Sequence, residues 1–383
     1  MEAGFLPNHV LILDPMPLHG GEEQHIVMLT EELSLLGFKV SLAVSNSSPW
    51  IGELREKGCE VIVCDMSRRL SPSTLFHLRA WVKQADIDLI HSHGGRGGLY
   101  GRILGYLTGR PVVHTWHLTP QDWAGSRPIK RQLYYWGEFA LSKLTDHYIA
   151  VSTEIESNLI QTYGILPTHV TRIVNRIKKP AAVIIKRPIS SRKQIVCIGR
   201  LSPQKGFHVL LESLGKLQQQ EISFSVKILG DGPEQEILVR LAKTLNLLDN
   251  VEFMGYQAEP HRILDDADLF VLPSLWEGTP LVLLEAMAHR LPIVATAVGG
   301  NRELLTNYGP KLLVRPADSV ALAQAIECGL KLTWASDEDM LAVSHFFDAQ
   351  AMARETAEVY QQVLGQSMAR SSSICNVDHP LSY

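Results

Sequence analysis

Two glutamates flank an apolar segment in the second half of the chain, within the stretch WEGTPLVLLEAMA. Glu277 precedes the apolar run and Glu285 lies inside it. A buried ionised carboxylate is costly unless it is paired or hydrogen-bonded. On one continuous helix the two side chains would point about 80° apart, so we expect Glu277 in the preceding loop and both carboxylates in one pocket. The vicinal hydroxyls of a ribose or hexose would supply paired donors, and a structural ion pair is the alternative for Glu285.

The residues between the two glutamates predict a helix start that can face an anion. Thr279 is expected to cap the helix and Pro280 to occupy its first position. The amides of Gly278 and Thr279 would then be available to a negatively charged group.

A second charged loop, GRLSPQKG, follows an apolar run and precedes another. It carries Arg200 directly after the predicted strand and Lys205 five residues later. A guanidinium, an ammonium and the amides of one helix N-terminus favour a diphosphate. Two solvated loop charges are the alternative interpretation.

Two glycine pairs give less specific signals. Gly230 and Gly232, in GDGPEQ, are compatible with a tight turn beside a base or ribose, and equally with a plain turn. Gly20 and Gly21, in HGGEEQ, would let the backbone approach a phosphate or sugar at the start of a helix.

Four histidines follow two predicted strands of the first half: His91, His93, His114 and His117. Their HxH and HxxH spacings suggest a metal, but no third acidic or Cys ligand stands nearby, so zinc is disfavoured. We expect polar residues of an acceptor site instead. His117 is singled out because it leads into the long loop LTPQDW.

The segment RPIKRQLYYWGEFALSK interleaves cations with aromatic side chains. These residues are Arg127, Lys130, Arg131, Tyr134, Tyr135 and Trp136. The pattern is compatible with a patch on lipid headgroups, and also with a partly exposed core helix.

The elements that must position these loops alternate short apolar runs with amphipathic ones. In the first half the predicted strands are 10–13, 40–44, 61–64, 88–93, 111–116 and 147–152, with a helix over 23–36. In the second half they are 194–199, 225–230, 251–255, 268–274, 292–296 and 311–314. This rhythm predicts two α/β domains, each a Rossmann-like doubly wound parallel sheet. Because ligands lie beyond the carboxyl ends of such strands, the polar loops predict a ligand in a cleft between the domains.

The predicted boundaries follow from composition. We expect a first domain over residues 1–178, a second over 190–345, and a proline-rich and basic connection between them. A helix at about 346–366 is expected to pack back on the first domain. Residues 367–383 are polar and aperiodic and predict a flexible tail.

Length and composition agree with a two-domain enzyme. The chain has 383 residues, 45% hydrophobic and 20% charged, and a net charge of −4 that predicts no nucleic-acid partner. Its five cysteines form no CxxC pair or zinc spacing, which suits reduced thiols in the cytosol. We find neither a signal peptide nor an apolar stretch of about 20 residues, and therefore expect a cytoplasmic protein that at most lies on a membrane surface.

These motifs together resemble a known family, the retaining glycosyltransferases of family 4, also called group 1, which have the GT-B fold. The most specific match is the E-x7-E motif in PSLWEGTPLVLLEAMAHRLPIVAT, with VGG following it. GRLSPQKG, ILGDGP, VEFMGY and DADLFVLPS support the resemblance in the family's order. HGGEEQHIVMLTEELSLLGFKV, DLIHSHGGRGG, PVVHTWH and YIAVS resemble the family's first domain more diffusely.

The resemblance implies roles for these residues. Arg200 and Lys205 would hold the donor diphosphate, and Glu285 the ribose hydroxyls. Glu277 and the backbone from Gly278 to Leu281 would hold the donor sugar, with His117 near it. It implies a retaining, metal-independent hexosyltransferase without a cofactor, which uses a UDP- or GDP-linked sugar and a glycan or lipid-linked acceptor. Such an enzyme would build a cell-surface polysaccharide or glycolipid, on the inner face of the membrane.

One position departs from the family pattern, because Arg176 follows Asn175 where relatives carry an Asn-Gly pair. Two other functions stay open: a GT-B nucleotide-sugar epimerase, and a non-catalytic scaffold that binds a sugar nucleotide within a glycan assembly complex. The intact set of Arg200, Lys205, Glu277 and Glu285 favours an enzyme. A Rossmann dehydrogenase is disfavoured because no GxGxxG opens a helix after a predicted strand.

Overall fold

A computed structural model describes residues 8–14, 20–46, 48, 50–66, 70–119, 128–179 and 192–375. The chain divides into two compact units. The first comprises Met1–Val174 and Ala349–Tyr383, and the second comprises Asn175–Asp348. Each unit contains one wholly parallel sheet, so the prediction of two doubly wound α/β domains is confirmed.

The first unit contains a seven-stranded sheet in the order β3-β2-β1-β4-β5-β6-β7. Its strands are β1 (His9–Asp14), β2 (Lys39–Ser45), β3 (Glu60–Cys64), β4 (Leu89–His93), β5 (Val112–Trp116), β6 (His147–Ala150) and β7 (Val170–Arg172). Every residue of β1 is buried, as expected for a parallel strand covered by helices on both faces. The edge strand β7 was not predicted, because three residues are too few to show the alternation of apolar and polar residues that is typical of a strand.

Six helices of the described chain accompany this sheet before the second unit begins. They are α1 (Gly21–Leu35), α2 (Ile51–Glu56), α3 (Pro72–Gln84), α4 (Gly94–Thr108), α5 (Pro128–Ser142) and α6 (Thr153–Gln161). On one face of the sheet, Val10 and Ile12 pack in a core with Ile26 of α1. On the other face, Leu11 packs in a core with Tyr100 of α4.

The second unit repeats the same plan, with a six-stranded sheet in the order β10-β9-β8-β11-β12-β13. Its strands are β8 (Lys193–Ile198), β9 (Phe224–Leu229), β10 (Val251–Gly255), β11 (Leu269–Leu272), β12 (Ile293–Thr296) and β13 (Lys311–Val314). Its helices are α7 (Phe207–Gln219), α8 (Gln235–Thr244), α9 (His261–Asp265), α10 (Leu281–Ala288), α11 (Asn301–Leu305), α12 (Ser319–Gly329) and α13 (Asp337–Ala342).

The strand order reverses at one place in each sheet. In the first unit β1 lies between β2 and β4, and in the second β8 lies between β9 and β11. Helices that follow the two central strands cover opposite faces of the sheet, which opens a crevice at the strands' carboxyl ends. The loops after β8 and β11, and those after β1 and β4, are therefore the places to look for ligand-binding residues.

The last helix, α14 (Ala349–Cys375), returns to the first unit. Its buried residues Met352, Ala357 and Tyr360 join the core that contains Ile12. The helix begins three residues later than the predicted 346, since a 3-10 turn, Ser344–Phe347, precedes it. It also continues to Cys375, whereas we expected a flexible tail from 367.

Within the described chain, we find no helix long and apolar enough to cross a membrane. Cys59, Cys64, Cys197 and Cys328 are free thiols.

Candidate functional site

The reversal point of the second sheet brings the predicted cation and carboxylate together. Lys205 Nζ lies 2.5 Å from Glu277 Oε1. Ser274 Oγ donates a hydrogen bond of 2.6 Å to the same carboxylate oxygen. The Lys205 side chain is 17% exposed and that of Glu277 only 5%, so this is a largely desolvated ion pair. Lys205 follows β8 and Glu277 follows β11, so the pair spans the two central strands.

Backbone contacts fix the two loops that carry this pair. The Leu275 amide donates to the Gln204 carbonyl over 2.7 Å, and Gln204 Nε2 donates to the Trp276 carbonyl over 3.2 Å. Gly206 has a left-handed φ of 64°, and a Cβ there would lie 2.2 Å from the carbonyl oxygen of Pro273. Only glycine permits this approach, which sets the position of Lys205 next to it.

Arg200 lies at the start of the same loop, exposed to solvent. Its guanidinium forms no hydrogen bond or ion pair with the described residues. The neighbouring turn after β9 packs closely on this loop: the Leu201 amide donates to the Asp231 carbonyl over 2.7 Å. A Cβ on Gly230, whose φ is 128°, would lie 2.1 Å from the Gly199 carbonyl oxygen, and one on Gly232 2.4 Å from that of Leu201. These glycines serve a close contact between two loops, which agrees with the plain-turn alternative.

The helix after the E-x7-E loop begins one residue later than predicted. Pro280 is the N-cap of α10 and Leu281 its first residue, without a side-chain capping bond, so the expected cap by Thr279 is wrong. The extended backbone of Pro280, with ψ of 119°, excludes it from the helix. The Thr279 carbonyl instead accepts a 3.0 Å hydrogen bond from Asn175 Nδ2, and the Gly278 carbonyl accepts one of 2.6 Å from the Gly300 amide.

Glu285 lies in the second turn of α10, half-buried. Burial raises the pKa of its carboxyl above the usual value, and the nearby charge of His261 acts in the opposite direction. Glu285 forms no ion pair with the described residues, so the structural ion pair given as its alternative role is not observed. Glu285 therefore has hydrogen-bonding capacity that the surrounding side chains do not use.

The predicted histidines of the first unit are all buried, at the carboxyl ends of β4 and β5. His91 is saturated, with Tyr360 Oη at 2.6 Å from Nδ1 and Thr115 Oγ1 at 2.7 Å from Nε2. His114 Nδ1 lies 2.9 Å from both the hydroxyl and the carbonyl oxygen of Ser92. These two are structural.

His117 differs from them. It is 9% exposed, and its Nε2 lies 3.0 Å from Nδ1 of His93. Burial is the main cause that lowers the pKa of both imidazoles well below the usual value, and the charges of neighbouring histidines add to it. Both rings are therefore neutral at pH 7. Residues 120–127, which include Arg127 and most of the stretch LTPQDW, lie outside the described residues.

Gly20 and Gly21 mark the start of α1, as the sequence suggested. Gly20 is the N-cap, and a Cβ on it would lie 2.6 Å from a carboxylate oxygen of Glu23. Burial raises the pKa of the neighbouring Glu22 carboxyl well above its usual value, helped by the charges of Glu23 and Asp14. This acidic surrounding disfavours a phosphate there and favours the hydroxyl groups of a sugar.

The aromatic and basic segment forms α5, none of whose residues is buried. Glu138 holds the helix to the first unit through an ion pair with the buried Arg102, with Nη1 3.0 Å from Oε2. The opposite face exposes Ile129, Leu133 and Trp136, by 85%, 62% and 55%. The segment is a surface helix with an unusually apolar outer face.

Three residues were not predicted: Ser274 and Asn175 beside the loops of the second unit, and His25 beside the histidines of the first. Ser274 and Asn175 stood within stretches already quoted, but a hydrogen bond to a side chain or carbonyl distant in sequence leaves no spacing signal. His25 lies inside α1, with its ring centroid 5.1 Å from that of His117. Only the packing of α1 beside β4 and β5 shows that His25 lies next to His93 and His117.

Comparisons with known proteins agree with this geometry. A family model described as glycosyl transferase 4-like domain matches residues 20–176, and one described as glycosyl transferases group 1 matches residues 183–340. The chain is 29% identical over 329 residues to an Escherichia coli enzyme, UDP-Gal:alpha-D-GlcNAc-diphosphoundecaprenol alpha-1,3-galactosyltransferase, covering 81% of this chain and 85% of that one. It is 28% identical to glycogen synthase of Mycobacterium tuberculosis, over 71% of this chain and 68% of that one.

A solved structure shows the same fold. HepE of Anabaena, in complex with UDP and glucose, superposes with a TM-score of 0.76 at 22% identity, covering 92% of this chain and 99% of that one. The two family models match one unit each, and the E-x7-E and GRLSPQKG loops meet as described above. The chain therefore belongs to the group 1 glycosyltransferases of family 4, enzymes with the GT-B fold.

Proposed function

We propose that this glycosyltransferase transfers a hexose from a nucleoside diphosphate hexose to a glycan or lipid-linked acceptor, with retention of the anomeric configuration. The observation that carries the proposal is the contact between Lys205 and Glu277, with the exposed Arg200 in the same loop as Lys205. It places two cations and a carboxylate at the reversal point of the second sheet, where α/β proteins bind nucleotides.

In this proposal Arg200 and Lys205 hold the diphosphate, and Glu285 accepts hydrogen bonds from the ribose hydroxyls. A diphosphate that approaches Lys205 competes with Glu277 for the ammonium, which releases a Glu277 oxygen toward the hydroxyls of the donor sugar. The relatives support the donor class, since the Escherichia coli enzyme is named for UDP-Gal and HepE was crystallised with UDP.

We propose a front-face substitution for the chemistry. The acceptor oxygen attacks the anomeric carbon as the bond to the diphosphate breaks, and the acceptor proton passes to the departing phosphate oxygen. The two cations stabilise the charge that develops on the diphosphate. His117, neutral through burial, is proposed to contact the transferred sugar. No divalent metal or cofactor is required in this scheme.

The acceptor is proposed to belong to a cell-surface polysaccharide or glycolipid. The Escherichia coli relative is named for a diphosphoundecaprenol-linked acceptor, whereas glycogen synthase is comparably identical to this chain. The exposed face of α5 favours the lipid-linked class, because Ile129, Leu133 and Trp136 share a surface helix with Lys130 and Arg131. Such a face suits an anionic membrane surface, and free cysteines suit its cytoplasmic side.

The membrane proposal is tested by sedimentation with vesicles. We expect the protein to bind vesicles that contain anionic phospholipid, less well at high salt, and Trp136→Glu to bind less than wild type. Phe76→Glu on α3 is the matched control, because Phe76 is 73% exposed but lies on another helix. Equal binding by wild type and Trp136→Glu would contradict the proposal.

The donor proposal is tested by thermal stabilisation with UDP-, GDP- and ADP-hexoses, since only a ligand that prefers the folded state raises Tm. The stabilising donor is then supplied with diphosphoundecaprenol-linked GlcNAc, and the anomeric configuration of the product is determined by NMR. We expect stabilisation by one nucleotide class and an α-linked product from an α-linked donor. Formation of an epimerised sugar nucleotide without an acceptor would replace transfer by epimerisation.

A further inference from the structure

The buried histidines His25, His93 and His117 come from three separate elements of the first unit. His25 lies on α1, His93 ends β4, and His117 follows β5. One ring nitrogen of each lies within 4.8 Å of one from each of the others. None is more than 9% exposed. Three imidazoles therefore converge here. In the sequence, His93 belongs to the HxH spacing and His117 to the HxxH spacing, whereas His25 belongs to neither.

The contacts of the three rings leave nitrogen atoms unused. His25 Nδ1 and His93 Nε2 are buried without a hydrogen-bond partner in the part of the chain that the structure describes. A buried polar atom without a partner is unfavourable by about 1–3 kcal/mol, so His25 Nδ1 indicates an absent ligand or water. His93 Nε2 is not the proposed ligand atom, because the close contact of His93 with His117 is made by Nδ1. His91 and His114 differ, because their ring nitrogens are hydrogen-bonded: His91 to Tyr360 and Thr115, and His114 to Ser92.

The spacing of the nitrogens fits a divalent cation of the zinc type. Zinc binds imidazole nitrogen at about 2.0–2.1 Å in a tetrahedral arrangement, which sets two ligand nitrogens about 3.3 Å apart. His93 Nδ1 and His117 Nε2 already lie 3.0 Å apart. The third nitrogen needs a movement of about 1.5 Å at most to reach the same spacing, which a side-chain rotation provides.

We propose that His25, His93 and His117 form a binding site for a zinc-type divalent cation. Three protein ligands leave the fourth position to water or to a hydroxyl group of a bound sugar. The site lies in the first unit, whereas the residues proposed to hold the donor diphosphate lie in the second. Since the cation takes a nitrogen of His117, which is proposed to contact the sugar, zinc inhibits transfer and the metal-free protein is the active form.

The binding test does not depend on activity. Full-length protein freed of metal with EDTA is titrated with Co²⁺, whose tetrahedral complexes absorb visible light, and the cobalt is then displaced with Zn²⁺. We expect one equivalent to bind. His25→Gln should bind more weakly by more than the roughly 10–100-fold that loss of an outer hydrogen-bond partner costs at metal sites. His77→Gln is the control, because His77 is an exposed histidine on α3 and its loss should leave affinity unchanged.

Wild-type protein that binds no stoichiometric Co²⁺, or His25→Gln that binds as tightly as wild type, would overturn the proposal. If His25→Gln does not fold, the wild-type titration alone decides. The transfer assay then separates the two proposals: zinc binding with no effect on transfer would remove His117 from the sugar site and leave the metal site standing.

Discussion

Lys205 is both a proposed phosphate ligand and the partner of a buried carboxylate, and these two roles can be separated. Lys205→Met should weaken nucleoside diphosphate binding about tenfold or more, because a charge-assisted contact is worth roughly 1.5–3 kcal/mol. It should also lower the free energy of unfolding by on the order of 3 kcal/mol, since Glu277 loses its cation in a desolvated position.

The double variant Lys205→Met with Glu277→Gln is the matched control. Removing both charges should restore most of the stability but none of the affinity. Calorimetric titration with UDP and urea unfolding measure the two quantities. If the double variant regains affinity together with stability, Lys205 acts only as a structural partner of Glu277.

The two glutamates of the E-x7-E motif should respond differently to neutralisation. Because burial raises the pKa of the Glu285 carboxyl, Glu285→Gln should not reduce stability, yet it should weaken UDP binding by removing an acceptor for the ribose. Glu277→Gln frees Lys205 for the phosphate, so UDP affinity should persist while kcat falls, as for a contact made more strongly in the transition state. Equal losses of UDP affinity in both variants would refute this division of roles.

At the scale of elements, the junction of the loop after β8 with α7 depends on one glycine. Gly206→Ala should be more destabilising than Gly255→Ala, although both residues have a left-handed φ, 64° and 67°. At Gly255 an added Cβ meets nothing within 4 Å, so that substitution costs only the backbone strain of about 1–2 kcal/mol. At Gly206 the same Cβ must also displace the Pro273 carbonyl, 2.2 Å away.

The displaced carbonyl adjoins Ser274, so Gly206→Ala should also disturb Glu277 and reduce turnover. Gly255→Ala should retain turnover. Urea unfolding and the transfer assay test both claims. Equal stability losses in the two variants would show that the contact with Pro273 is relieved without cost.

The elements themselves were predictable where the chain is periodic. Strands β10 and β13 were predicted to the residue, since an asparagine and a proline directly precede these two short runs and mark where each begins. The cap of α10 was not, because Thr279 and Pro280 satisfy the usual rules one residue before the helix starts. The Lys205–Glu277 contact follows from strand order, which no local pattern encodes. His25 was missed for the same reason.

At the scale of the whole molecule, buried neutral histidines make stability dependent on pH. Burial lowers the pKa of His25 to about 4, below its usual 6.5. Between these two pH values His25 carries a proton in the unfolded chain but not in the folded one. Its effect on the free energy of unfolding is therefore absent well above pH 6.5, and it lowers that free energy as the pH drops. For His25 alone the loss from pH 7 to 5 is on the order of 2 kcal/mol.

The pKa values of seven further histidines are lowered, mainly by burial; they are His9, His91, His93, His114, His117, His147 and His345. The raised pKa values of Glu22 and Glu285 have the opposite sign, because the folded state then holds protons that the unfolded chain has released. The histidines outnumber these two carboxyl groups, so the free energy of unfolding in EDTA-containing buffer should fall from pH 7 to 5. His25→Gln should show a smaller fall than wild type. An identical fall would mean that His25 is protonated in the folded protein.

A chelator should leave turnover intact, because the proposed transfer step uses two side-chain cations and no metal. The assay compares protein before and after EDTA treatment, with added Mn²⁺ as a second condition. Activity lost in EDTA and restored by Mn²⁺ would assign the diphosphate charge to a metal. A rise in activity after EDTA would agree instead with removal of an inhibitory cation from His117.

The return of α14 to the first unit has a consequence for biosynthesis. The first unit's core includes Met352, Ala357 and Tyr360, which leave the ribosome only after residues 175–348 have been made. The second unit is contiguous in sequence and can complete its core earlier. The earlier-synthesised sheet must therefore wait with one apolar face only partly covered by α1, and translation that stops before residue 349 should yield a chain whose first unit, and not its second, is recognised by chaperones and proteases.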